Sequence, residues 1–254
     1  VLNSPGVSEL LLSPRDLPPP VVEVTQLSPG AAAVLPFRMD SKLGVDEKTA
    51  EPLAAKIRAV QAKYPGDLLV EVTLAEAEID SGHHKASEAA ADRALQADPR
   101  STEAMIYKAR SILEGAAIDK NRTPKLFAQG REWLLKANKL DSEDPEPLVE
   151  YYKSFLLEET TPTKNAVVAL HYASNLAPQD MELRINSAMQ YLRDKDLKSA
   201  RKSLTPIAFD PHGTEVSDVA RKVIVRIDAG DADGALKIAE TGPEEPAAPA
   251  KGTN

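Results

Sequence analysis

The 254-residue sequence has no cysteine, one tryptophan and only 4% aromatic residues. Without thiols there is neither a disulfide framework nor a thiolate metal site, and the absence suits an oxidising and a reducing compartment equally. So few aromatics disfavour a sandwich or barrel, while abundant alanine favours helices packed closely through small side chains. No apolar run approaches the roughly 20 residues a helix needs to cross a bilayer, so membrane insertion is not expected. The formal net charge is −8, with Lys and Arg scattered along the chain, which leaves no basic stripe for a phosphate backbone. Nucleic acid is therefore not expected as a partner.

Chemistry-bearing motifs are missing as well. Gly130, Gly213, Gly230 and Gly234 stand too far apart to build a phosphate loop or a dinucleotide fingerprint, so no cofactor is expected. No His-Glu-x-x-His pair occurs. His83 and His84 are adjacent, and neighbours on a helix do not share a face, so they read as an exposed turn after Gly82 rather than a metal site. His171, beside Leu170, reads as interhelical packing, and His212 as a solvated linker residue. Carboxylates are plentiful but read as a solvated surface. No catalytic residue is assigned, and enzymatic activity is not expected.

What the sequence does have is punctuation. From Asp67 to Pro99 it predicts a helix over about Leu68–Ser81, a break at Gly82, a second helix over about Lys85–Ala97, and a stop at Asp98-Pro99, because proline cannot continue a helix. Pro65 and Pro99 stand 34 residues apart, and the unit recurs with closures at Ser142, Pro178 and Pro211, spaced by 43, 36 and 33 residues. The long second unit places its extra residues between Gly115 and Lys125, where Asp119 to Pro124 reads as a polar loop and a candidate contact site. Pro206 predicts a kinked or shortened helix in the fourth unit, and a terminal half-unit starts near Thr214 and turns at Gly230-Asp231. Upstream, Leu53, Ile57, Val60 and Tyr64 at spacings of three and four mark an amphipathic helix from Asp46 to Tyr64, the second half of a repeat whose first helix is missing or replaced.

Three regions follow. Residues 1–45 carry seven prolines and a Val21-Val22-Glu23-Val24 run, and read as a helix-free extended arm that docks through Leu35-Pro36-Phe37, or as the end of an upstream domain. Residues 46–240 are the repeat region. Residues 241–254, Pro-rich and without an apolar face, are expected to be disordered. The chain opens at Val1 rather than Met, and a preceding segment is expected.

Ala188 and Tyr191 in a first helix, Ala200-x-x-x-Leu204 in a second, and the closing Ala94 to Pro99 and Ala173 to Pro178 resemble the tetratricopeptide repeat family over about three quarters of the chain. The tryptophan of that pattern is absent; Glu71, Met105, Leu148 and Arg184 stand in its place. Other helical-pair repeats, HEAT among them, fit less well in period. The resemblance implies an all-α, right-handed α-solenoid of about four helical hairpins that binds a protein or peptide. A looser resemblance, carried by Leu176 to Asp180 and Asp210 to Gly213 after a proline-rich lead-in, is to the C-terminal part of bacterial exported metallopeptidase-like proteins. It implies an accessory domain of a larger hydrolase and favours an exported, periplasmic location.

In such a solenoid the first helices line the concave wall. Their free face is expected to present Val72, Glu76 and Ile79, then Ile106, Arg110 and Leu113, then Val149, Lys153 and Leu156, then Ile185, Met189 and Arg193. Apolar rows interleaved with single charges suit a segment that brings apolar anchors and carboxylates. Oligomeric state is not legible.

Overall fold

A computed structural model describes residues 27–42, 46–213 and 215–241, and every regular element among them is a helix. In chain order these are α1 Pro29–Lys42, α2 Glu47–Gln61, α3 Leu68–Asp80, α4 His84–Ala97, α5 Thr102–Ile118, α6 Pro124–Leu140, α7 Glu146–Leu157, α8 Lys164–Leu176, α9 Met181–Arg193, α10 Leu197–Ala208, α11 Glu215–Asp228 and α12 Ala232–Thr241. Short polar residues set the starts. Asp67, Ser101, Thr163, Asp180 and Asp196 each accept a backbone N–H of the following first turn, and Asp46 and Thr49 form a reciprocal capping box.

Consecutive helices pair as hairpins, and each hairpin stacks on the next. Small side chains allow the close approach: Ala75, Ala90, Ala91 and Ala94 have no exposure, and the buried Ser87 hydroxyl donates to Ala75 O at 2.6 Å. The same left-handed residue ends the first helix of every hairpin from α3 onward: Gly82, Lys120, Glu159, Lys195 and Gly230, with φ between 54° and 77°. Directly after each, a backbone N–H reaches back five residues: His83 to Glu78, Asn121 to Ala116, Thr160 to Phe155, Asp196 to Tyr191 and Asp231 to Arg226, at 2.7–2.9 Å.

The first helices α1, α3, α5 and α7 pack side by side, each on the next. The second helices α2, α4, α6, α8 and α10 mainly touch first helices. A wall whose neighbours meet is the inner, shorter arc of a curved stack, and the spread helices form the outer arc. The interior divides into four apolar clusters, over α1–α4 with the start of α5, over α5–α6, over α7–α8 with Leu183, and over α9–α12.

Two expectations are overturned. No helix was expected before Asp46, yet α1 fills the missing first-helix place, with Val34 and Ala31 buried and Phe37 half-buried against α2 and α3. Pro29 sits in the first turn, where its absent N–H costs nothing, the Ser28 hydroxyl accepts from Ala31 N–H at 3.0 Å, and the alanines before Pro36 are strong helix formers. Of the Leu35-Pro36-Phe37 segment expected to dock, Phe37 packs on the α1–α4 cluster while Leu35 is exposed; Val21 to Val24 and residues 242–254 lie outside the described residues. The second correction concerns the long repeat. Its extra length is mostly helix: α5 and α6 have 17 residues each against 13 and 14 in α3 and α4, which leaves only residues 119–123 as loop. Helix α10 runs through Pro206 and ends two residues later at Ala208, after 12 residues.

Candidate interaction surface

The inner wall is built by faces of α3, α5, α7 and α9. Of the twelve residues expected on its free face, Val72, Ile79, Ile106, Leu113 and Val149 are buried in the apolar clusters, and Glu76 is buried with a partner of its own. These six are wall, not surface. The correction has a plain cause: adjacent first helices touch, so a stripe that faces neither partner helix still faces the next repeat. Leu156 is exposed at 45%, Ile185 and Met189 are half-buried, and the three cations reach solvent. Ile185 and Met189 line an apolar cavity of about 290 Å³ between α9, α11 and α12, with Val216, Val219, Val223 and Ala239 opposite.

The cations are held by carboxylates. Arg110 Nε donates to Glu114 Oε1 at 3.0 Å and lies near Glu150, and although burial opposes its charge these acids hold the guanidinium ionised. Lys153 Nζ bridges Glu150 at 3.4 Å and Glu182 of α9 at 3.1 Å; burial opposes its charge too, and the two carboxylates overcome it, raising its pKa. Arg193 reaches Glu240 of α12 at 3.0 Å and the Tyr152 hydroxyl at 3.4 Å, while that hydroxyl donates to Gln190 Oε1 at 2.8 Å. The charges thus stitch α7 to α9 and α9 to α12. Exposed pairs of this kind are worth about 0–1 kcal/mol each, so an incoming carboxylate exchanges them at little cost.

Periodicity gave no sign of the charged groups buried behind the wall. Glu71, where the repeat pattern expects tryptophan, has no exposure; it accepts from Gln61 Nε2, Gly66 N–H and Arg93 Nε at 2.9, 3.1 and 2.9 Å. Glu78, nearly buried, takes two bonds from Arg58, at 2.6 and 2.8 Å, with His83 Nδ1 at 3.0 Å. His83 is therefore an exposed partner in an ion cluster. His84, expected to be exposed, is half-buried with both ring nitrogens enclosed, and lines a cavity of about 610 Å³ beside Ile112, Gly115 and Leu126. His171 packs between helices as expected: its ring stacks on Tyr191 at 3.8 Å and Nδ1 lies 2.6 Å from Ser187 Oγ. Among the described residues no group of three or more His, Asp or Glu is placed to hold a metal, and no helix is long and apolar enough to cross a membrane.

This architecture defines a tetratricopeptide-like helical-repeat solenoid. Among solved structures the chain is similar to PilF of Pseudomonas aeruginosa, with a TM-score of 0.58 at 14% sequence identity, over 86% of this chain and 96% of that one. At that identity the likeness is one of fold. No family model matches the chain, and no curated protein matches it. The resemblance to exported metallopeptidase-like proteins finds no support in these comparisons.

Proposed function

We propose that the protein is a non-catalytic interaction scaffold whose inner wall receives a segment of a partner protein. The observation that carries this reading is the row Lys153, Leu156, Ile185, Met189 and Arg193, which joins the exposed Leu156 and the half-buried Ile185 and Met189 to exchangeable cations on consecutive first helices. A segment lying across α7 and α9 would set an apolar anchor at Leu156 and displace Glu182 and Glu240 with its own carboxylates.

The test is a variant carrying Lys153→Glu, Arg193→Glu and Leu156→Asp, compared with the native chain by crosslinking in cells of the source and mass spectrometry. Arg110 is left intact, because its guanidinium pairs within α5, with Glu114, and lies outside the row across α7 and α9. The variant is expected to keep its far-ultraviolet circular dichroism and to lose its crosslinked partner. A folded variant that retains every native partner would remove this surface from consideration.

A further inference from the structure

The outer arc holds a site of different character. Because the second helices are spread, α8 and α10 stand apart over α9 and leave a cleft of about 760 Å³. Four cations line it, Arg184, Lys198, Arg201 and Lys202, and no carboxylate does. In a chain where Asp and Glu outnumber Lys and Arg by 39 to 31, that selection of one sign is contrary to composition. Two acids lie at its margin: Asp228 pairs with Arg201 at 2.7 Å, and Asp196 caps α10 beside Lys198. Lys198 and Lys202 have no carboxylate at ion-pair distance among the described residues, and they stand one turn apart on the same face of α10, where like charges repel. Apart from Pro178 and Pro206 the remaining lining is hydrogen-bonding, with Ser174 and Ser203 on the two walls and the His171–Tyr191 stack as floor.

We infer that this cleft is a docking site for an acidic peptide segment of a partner protein, separate from the inner wall. Carboxylates a few residues apart along an extended peptide match cations spaced along α10 and across to α9, and they relieve the repulsion between the two lysines. A long polyanion fits less well, since the net charge of −8 repels it at every other point of approach. The cations also spread over two helices, the three on α10 exposed and Arg184 on α9 half-buried, which is not the converging cage a single phosphate requires.

The experiment uses the full chain and a fluorescein-labelled hexaglutamate peptide, read by fluorescence anisotropy at low and at physiological salt. Saturable binding that weakens with salt is expected, reduced about tenfold or more by Lys198→Glu with Lys202→Glu. Lys136→Glu with Lys139→Glu on α6 changes the net charge equally and is expected to leave binding in place. The inner-wall variant Lys153→Glu with Arg193→Glu is likewise expected to bind normally, so the two surfaces fail or stand independently. Circular dichroism confirms that each variant is folded. Absence of binding, equal loss in the α6 control, or displacement by inorganic phosphate or single-stranded DNA as effective as displacement by unlabelled peptide would overturn the inference.

Discussion

At the residue scale, Glu71 shows how the fold tolerates departure from its own consensus. A carboxylate with no exposure is costly unless each lone pair is used, and here the α2–α3 turn, α2 and α4 all donate to it. Glu71→Ala leaves Arg93 and the Gly66 N–H without that acceptor, and urea denaturation should find a loss of about 3 kcal/mol or more. His171 carries the pH dependence. Burial pushes its imidazole below the usual histidine range, more than the nearby Asp194 and Asp196 push it up. In the unfolded chain it titrates near about 6.5, so as pH falls below that value the unfolded state takes up the proton first. Stability from this group is thus complete above about pH 6.5 and is lost as pH falls through the depressed folded value. Thermal melts of the native chain between neutral and mildly acid pH should show a decline that His171→Phe, which keeps the Tyr191 stack, makes shallower.

Elements are held by turns whose geometry repeats more faithfully than their sequences. Gly82 and Gly230 take the left-handed conformation freely, but Lys120, Glu159 and Lys195 adopt it at a cost of roughly 1–2 kcal/mol each. Glu159→Gly should therefore raise stability, net of the greater freedom of the unfolded chain, by about 0.5–1 kcal/mol, measurable as an upward shift in the urea midpoint. Helix approach gives the opposite case. A methyl group on Gly130 of α6 would stand 2.6 Å from Leu113 Cγ, so α5 and α6 pack only because that position has no side chain. Gly130→Ala gains about 1 kcal/mol of helix propensity and incurs about 1–3 kcal/mol of overpacking, and a lower melting temperature is expected.

For the whole molecule, stability is distributed among four apolar clusters. The seam between α7–α8 and α9–α10 lacks the close first-helix packing that joins α3 to α5 and α5 to α7, and it is bridged by polar contacts: Tyr152 with Gln190, Lys153 with Glu182, and His171 with Ser187 and Tyr191. Stacked repeats behave as units coupled to their neighbours, so a weaker seam permits one end to open alone. Leu204→Ala, which hollows the α9–α12 cluster, should accelerate amide hydrogen exchange throughout α9–α12 while α3–α6 retain native protection. Uniform acceleration along the chain would show that the solenoid unfolds as one cooperative body.

Much of this was legible in order along the chain. Proline stops, alanines at helix contacts and a spacing near 34 residues are local signals, and they located helices α3 to α12 because each hairpin repeats the same steric problem. Helix α1 was obscured by proline content, since counting prolines hides the Ser28-Pro29 start and the alanine run that follows it. The inner wall was half legible: periodicity found the faces of α3, α5, α7 and α9, but a linear pattern does not show how much of a face the next hairpin covers. Burial of Val72, Ile106 and Leu113, exposure of Leu156, and the gathering of cations from α9 and α10 into one cleft are set by the curvature of the stack, which brings first helices together, holds second helices apart, and is a property of no single repeat.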